Sequence, residues 1–301
     1  MLMSIAHLHS VVKGESERLA ILLTSVYYKN MICLCLTKPC FRHLLLLSLM
    51  TLSGYVSDAQ TVGPVPKEWG LDPFYTKAIQ ADITRITASD AVCDAALSNM
   101  AEVVETMLSK IKTNHPSIHN MLKEKQHRLS IIGAKQNTLD LPEYRHLSKK
   151  GFGWTRGLGG TISCPLSSCG EENALHLGKP EDRYGEENIG VHEFAHGIFN
   201  IGIQYGDPAL FQKIKETYTR ARAKGLWDKT YGGSNFDEYF SICTQCWFSV
   251  MVATPDGKPN GIKNHVHSRE TLKAYDPDMY AIMESLYPTN SLPAPWNRTF
   301  K

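Results

Sequence analysis

The sequence predicts an α+β domain with a small sheet, and three observations carry that reading. Arg128-Leu-Ser-Ile-Ile132, closed by Gly133, is a short apolar run of strand length. Gly185–Asn200 places apolar residues at helical spacing around His192, Glu193 and His196. Phe236–Val252 reads as a second, strongly apolar helix in which Glu238 is the only carboxylate after Asp237. The 301 residues are 43% hydrophobic and 21% charged, which suits one or two globular domains. Net charge is only +2 and no basic block stands out, so nucleic acid is not an expected partner.

Taken in order, residues 1–59 read as an N-terminal extension and signal peptide, and residues 60–301 as a single domain. Phe41–Val56 is an apolar stretch preceded by Lys38, Arg42 and His43, and Ser57-Asp-Ala59 supplies small residues for cleavage after Ala59. Such leaders begin a chain, which makes Met31 an alternative start. A signal anchor helped by Leu19–Tyr28 competes with this reading, but the apolar run is short for a membrane span, and no stable membrane association is expected. A secreted, extracellular chain would keep Cys93, Cys164, Cys169, Cys243 and Cys246. In that setting Cys164 and Cys169 would close a small loop, and Cys243 would pair with Cys246, or one of the two with Cys93. Asn297-Arg-Thr299 is then a glycosylation sequon.

Thr61–Pro73, rich in Pro and Gly, predicts an extended lead-in. Lys77–Thr87 predicts one strand, and Ser89 or Asp90 a cap for a helix running to about Lys112. Ile118–Lys125 predicts a short helix before the Arg128 strand, and Thr138–His146 an irregular stretch. Gly151–Gly160 holds five glycines but lacks the Lys-Ser/Thr pair of a phosphate loop, so it reads as a flexible loop near the site. Thr161–Cys164 is read as an edge strand, and Glu171-Glu-Asn173 and Asp182-Arg-Tyr184 mostly as loops. Gly202 is read as the stop of the His192 helix. Asp207-Pro208 caps a helix through about Lys224, and Ser268–Leu286 predicts one or two more.

The chemistry lies in His192, Glu193 and His196. Residues four apart share one helix face, so both imidazoles can hold one metal ion while Glu193 reaches a water beside it. A random chain of this composition, with 12 His, would show the pattern roughly 3 times in 100. The flanks argue against chance, because a buried helix rarely carries such polar groups unpaired. Gly190 and Gly197 would let a neighbouring element come close. A metzincin continuation would need glycine at 199 and histidine at 202, where the chain has Phe199 and Gly202. Glu238, 46 residues past His192, is the candidate third ligand; Asp237 reads as a surface or capping group and Glu216 as a solvated helix charge. His265 and His267 read as exposed loop residues.

His-Glu-Phe-Ala-His followed by Asn235-x-x-Glu-Tyr-Phe resembles the gluzincin zinc metallopeptidases related to the anthrax lethal factor catalytic domain. The resemblance spans residues 75–287 and takes in Arg156-Gly-Leu-Gly-Gly, Glu171-Glu-Asn173 and Thr271-Leu-x-x-Tyr-Asp-Pro277. It implies a zincin-like fold, one zinc ion held by His192, His196 and Glu238, and Glu193 as general base. It also implies that Tyr231 supports the oxyanion and that the substrate is a peptide or protein. The family's second glutamate, four residues past the ligand, is Ile242 here, so a carboxylate that would orient the metal shell is missing. Two alternatives stand beside a secreted endopeptidase. One is a catalytically weak zinc-binding relative acting as a binding or matrix protein; the other is an intracellular, toxin-like effector.

Overall fold

In the computed structural model, which describes residues 61–297, alternation along the strands divides the core between two sheet faces. The strands are β1 Gly63–Pro64, β2 Lys77–Ala81, β3 Thr84–Ala88, β4 Arg128–Ile132, β5 Gly157–Leu158 and β6 Leu166–Gly170. They form one sheet in the order β1-β2-β3-β4-β6-β5. β3, β4 and β6 run parallel, whereas β1, β2 and β5 pair antiparallel with their neighbours. Ile79, Ala81, Ile86, Ala88, Leu129, Ile131 and Cys169 enter the large core on one face. Ile132 and Leu166 instead join Tyr75, Leu141 and Tyr144 in a smaller cluster on the other. The architecture is α+β, as expected.

The large face is covered by helices. They are α1 Asp94–Asn114, α2 Pro116–Glu124, α3 Ile189–Gly197, α4 Pro208–Ala223, α5 Phe236–Trp247, α6 Arg269–Tyr275 and α7 Pro277–Leu286. Leu97, Met100, Val104, Met107, Leu108 and Ile111 form the fully buried stripe of α1. Asp207 caps α4 by accepting from the Leu210 N–H, and Asp276 caps α7 by accepting from that of Met279.

Several expectations need correction. Lys77–Thr87 is a hairpin and not one strand: Asp82 turns the chain at φ +47°, where it accepts from Lys112 at 2.7 Å and pairs with His119. α1 starts at Asp94, after an extended Cys93, so neither Ser89 nor Asp90 caps it. Thr161–Cys164 is a turn closed by its own backbone hydrogen bonds, and the edge strand is β5. Leu166–Gly170, which overlaps the supposed disulfide loop, is the interior strand β6; its serines and cysteine hid it from a hydrophobicity reading. The His192 helix passes through Gly202, where a Cβ would lie 2.8 Å from Ile118 Cγ2, so this glycine serves close packing and not termination. α5 ends at Trp247, short of Val252.

All five cysteines among the described residues are free thiols. Cys164 packs with the smaller cluster and Cys169 with the large core, so the sheet separates the two sulfurs. Cys243 and Cys246 are both buried on α5, and the Cys246 thiol donates to the Val266 carbonyl. The leader, its cleavage point and the Arg298 and Thr299 of the sequon lie outside the described residues. No helix among the described residues is long and apolar enough to cross a membrane.

Glu171–Asn173 is not a solvated loop. Glu171 accepts from the Cys93 and Ala134 backbone N–H groups. Glu172 receives Arg156 Nε and Nη2 in a bidentate pair, both at 2.6 Å, while Arg156 Nη1 donates to the Gln136 carbonyl. The pair is nearly sealed from solvent, with side-chain exposures of 13% for Arg156 and 8% for Glu172. Removing one member strands a buried charge, so Arg156→Met is expected to lower unfolding stability by about 3 kcal/mol in urea titration.

Candidate metal centre

The helix that carries the site is fixed at its first turn by side chains outside it. Asn188 caps α3 by accepting from the Val191 N–H at 2.9 Å. Fully buried Asn173 accepts from the Ile189 N–H and donates to Asp182 and to the Glu187 carbonyl, all within 2.8 Å. Asn173 and Asp182 therefore build the site's foundation, contrary to the loop expectation. The glycines act as anticipated. A Cβ at Gly190 would fall 2.5 Å from Met100 Cε of α1, and one at Gly197 would fall 2.1 Å from His127 Nε2. Gly159, just past β5, would meet His196 Cβ at 2.4 Å, so the glycine loop and edge strand lie directly against the site.

His192 and His196 are both more than nine-tenths buried and turn their Nε2 atoms toward each other at 3.1 Å. Glu238 of α5 brings Oε2 to 3.1 Å from His192 Nε2 and 3.4 Å from His196 Nε2. Asn235 caps that helix, accepting from the backbone N–H groups of Asp237 and Glu238, and so fixes where both carboxylates start. The donor atoms of His192, Glu193 and His196 also lie within 4.8 Å of one another.

The outer partners decide which ring nitrogens carry protons. Gln245 Nε2 donates to the Asn188 carbonyl at 3.1 Å, which leaves Oε1 to accept from His192 Nδ1 at 2.9 Å. Asp237 Oδ1 accepts from His196 Nδ1 at 2.5 Å. With both Nδ1 atoms donating, both Nε2 atoms present lone pairs to each other and to a carboxylate. Three acceptors in contact require a cation. Their spacings match the edge of about 3.3 Å expected for a tetrahedron with metal–nitrogen bonds of ~2.0–2.1 Å, so the donor set fits a divalent metal.

A proton on His196 Nε2 can also supply that positive charge. Burial alone would strip a proton from His196, but its bonds to Asp237 and Glu238 outweigh that and push its pKa up to about 10. Burial raises and the two histidines more strongly lower the Glu238 carboxyl, which stays well below the usual range. Glu193 is shifted upward by burial, tempered by His192 and His196. Tyr231 lies beside the site, its ring 6.4 Å from that of His192. Burial first, then its contact with Glu238, holds the phenol protonated far above neutral pH.

Asp237, expected as a surface or capping group, is instead the partner of His196. Gln245, from the same helix, is the corresponding partner of His192. It sits seven residues past Glu238 on the same helix face, a spacing that would have singled it out had buried polar residues been sought there. Glu216 accepts from Gln212 within α4, as a solvated helix charge would, and His267 Nδ1 meets the His265 carbonyl within its own loop. Family models, curated proteins and solved structures were compared with the chain, and none matches.

Behind α3, buried His127 donates through Nε2 to Ser167 Oγ, which donates in turn to the Glu193 carbonyl at 2.7 Å. Burial, aided by Arg128, lowers the His127 pKa to about 3 from 6.5. Between those values the unfolded chain binds a proton that the folded chain refuses. Stability is therefore complete above pH 6.5 and falls as the pH drops toward 3. From pH 6.5 to 5 the loss attributable to this ring is about 2 kcal/mol. Urea titrations at both pH values are expected to show that difference between the wild type and His127→Gln.

Proposed function

We propose that the chain is a zinc-dependent metalloendopeptidase of the gluzincin type, with a zincin-like fold. The observation that carries this reading is the meeting of His192 Nε2, His196 Nε2 and Glu238 Oε2 within 3.4 Å, with Glu193 beside them. His192, His196 and Glu238 would hold the ion, which supplies an acidified water and polarises the scissile carbonyl. Glu193 takes the water's proton and passes it to the leaving amine; its burial lifts its pKa toward the range where both steps are possible. Tyr231, protonated at working pH, donates to the developing oxyanion.

A peptide substrate is supported by what borders the site. β5 is an edge strand beside α3, suited to pairing with an extended chain. Trp154 precedes it at 59% exposure, and across the site Tyr231 and Ile262, joined by a backbone hydrogen bond, are 45% and 56% exposed. Exposed aromatic and aliphatic groups beside a polar centre offer contacts for substrate side chains. Secretion remains part of the proposal and rests on the leader; N-terminal sequencing of the mature protein would place cleavage after Ala59. The alternative, a weak and purely binding relative, rests on Ile242; against it, Gln245 gives His192 an orienting contact of its own.

Glu193→Gln is expected to retain one zinc per chain yet lose peptide hydrolysis by at least about 100-fold. Metal analysis paired with cleavage of a mixed peptide library checks both halves. Undiminished cleavage by the variant would defeat the assignment, and zinc-loaded wild type that cleaves nothing would favour the binding-protein alternative.

A further inference from the structure

Three metal ligands do not by themselves require the backbone beyond His196 to leave the α-helical path. Past Gly197, however, α3 widens into a π-helical segment, Ile198–Ile203, before the last turn Gln204–Gly206. π turns are rare and recur at functional sites. Here Ile198, Phe199, Ile201, Gly202 and Ile203 are buried, and Asn200 is the segment's one polar side chain. It reaches to α5, where its Nδ2 donates to Asp237 Oδ2 at 3.0 Å. The other oxygen of Asp237 accepts from His196 Nδ1.

We propose that the π turn aims Asn200 at Asp237, making Asn200 a positioning residue that fixes His196 as a metal ligand. The inference rests on the metal reading above. Four residues of regular α-helix turn the chain through about 400°, leaving residue 200 about 40° past His196. Residue 200 thus shares the His196 face, and the π turn carries it there against α5, where its amide meets Asp237. Asp237 needs such a tether. Its side chain is 32% exposed, so water and other rotamers compete for the carboxylate. His192 has no such weakness, because Gln245 is fully enclosed and held by the Asn188 carbonyl. Each imidazole thus has a partner and a tether: Gln245 and the Asn188 carbonyl for His192, Asp237 and Asn200 for His196.

The test measures metal binding in the full-length chain, independently of cleavage. Zinc affinity is read by competition with a chromophoric chelator, and ligand geometry by the visible spectrum with cobalt(II) in place of zinc. Asn200→Ala is expected to weaken zinc binding roughly 10- to 100-fold and to alter the cobalt spectrum. The isosteric Asn200→Leu should do the same, and it carries the comparison if the alanine variant does not fold. Ile201→Val, in the same turn, should change neither readout. Because Asn200 acts through Asp237, adding Asn200→Ala to Asp237→Ala should weaken binding no further. Wild-type affinity and spectrum in both Asn200 variants, or additive losses in the double variant, would overturn the proposal. A wild type that binds neither metal would overturn the metal reading itself, and this assignment with it.

Discussion

Two imidazole nitrogens and a carboxylate oxygen are held within 3.4 Å of one another, the two rings buried and the carboxylate largely so. Much of the surrounding structure answers to that constraint. Each ring is forced to present a lone pair inward, since Gln245 and Asp237 already take the protons on the outer nitrogens. Lone pairs in contact repel, and a buried carboxylate without a counter-charge is expensive. The arrangement is stable only around positive charge, either protons or a metal. Protons can serve, as the upward shift of His196 indicates, but they compete for the same atoms a divalent ion would occupy.

Holding three such groups together requires two helices at fixed depth and rotation. α3 is set by Asn173 and Asp182 at its start, and by glycines that let α1, His127 and the glycine loop press against it. α5 is set by the Asn235 cap, and its register follows from burying Tyr239, Phe240, Cys243 and Trp247. Phe199 stacks on Phe240 at 5.0 Å, tying the two helices together one turn beyond the ligands. Tyr239 adds a bond from its hydroxyl to Asp276, which also takes the Trp227 indole N–H. Packing and polar contacts thus fix the same geometry from opposite sides.

The parts legible in the sequence were those with a strong local period or a fixed spacing. Arg128–Ile132 has the bounds read for it, and His192 and His196, four residues apart, share the face that their spacing implied. β6 was invisible because Leu166-Ser-Ser-Cys-Gly has no apolar run; its serines are buried by hydrogen bonds, Ser167 to the Glu193 carbonyl among them. The hairpin at Asp82 was missed because its turn uses an aspartate in the left-handed region in place of glycine. Asp237, Gln245 and Asn200 were misjudged or passed over for one reason. Their roles depend on a contact between α3 and α5, and no spacing within either helix announces it.

The placement of carboxylates bears on why the proposed role is hydrolytic and not structural. A structural zinc site closes its shell with four protein ligands, whereas a catalytic one keeps a position open. Around His192 and His196 the carboxylates are Glu193, Asp237 and Glu238, and each is differently engaged. Glu238 faces both rings, and Asp237 uses its two oxygens on His196 and Asn200. Glu193 is partly buried and shifted toward the neutral form, yet it makes none of those bonds. In the proposed reaction that carboxylate is the one left to take a proton from water and hand it to the leaving amine.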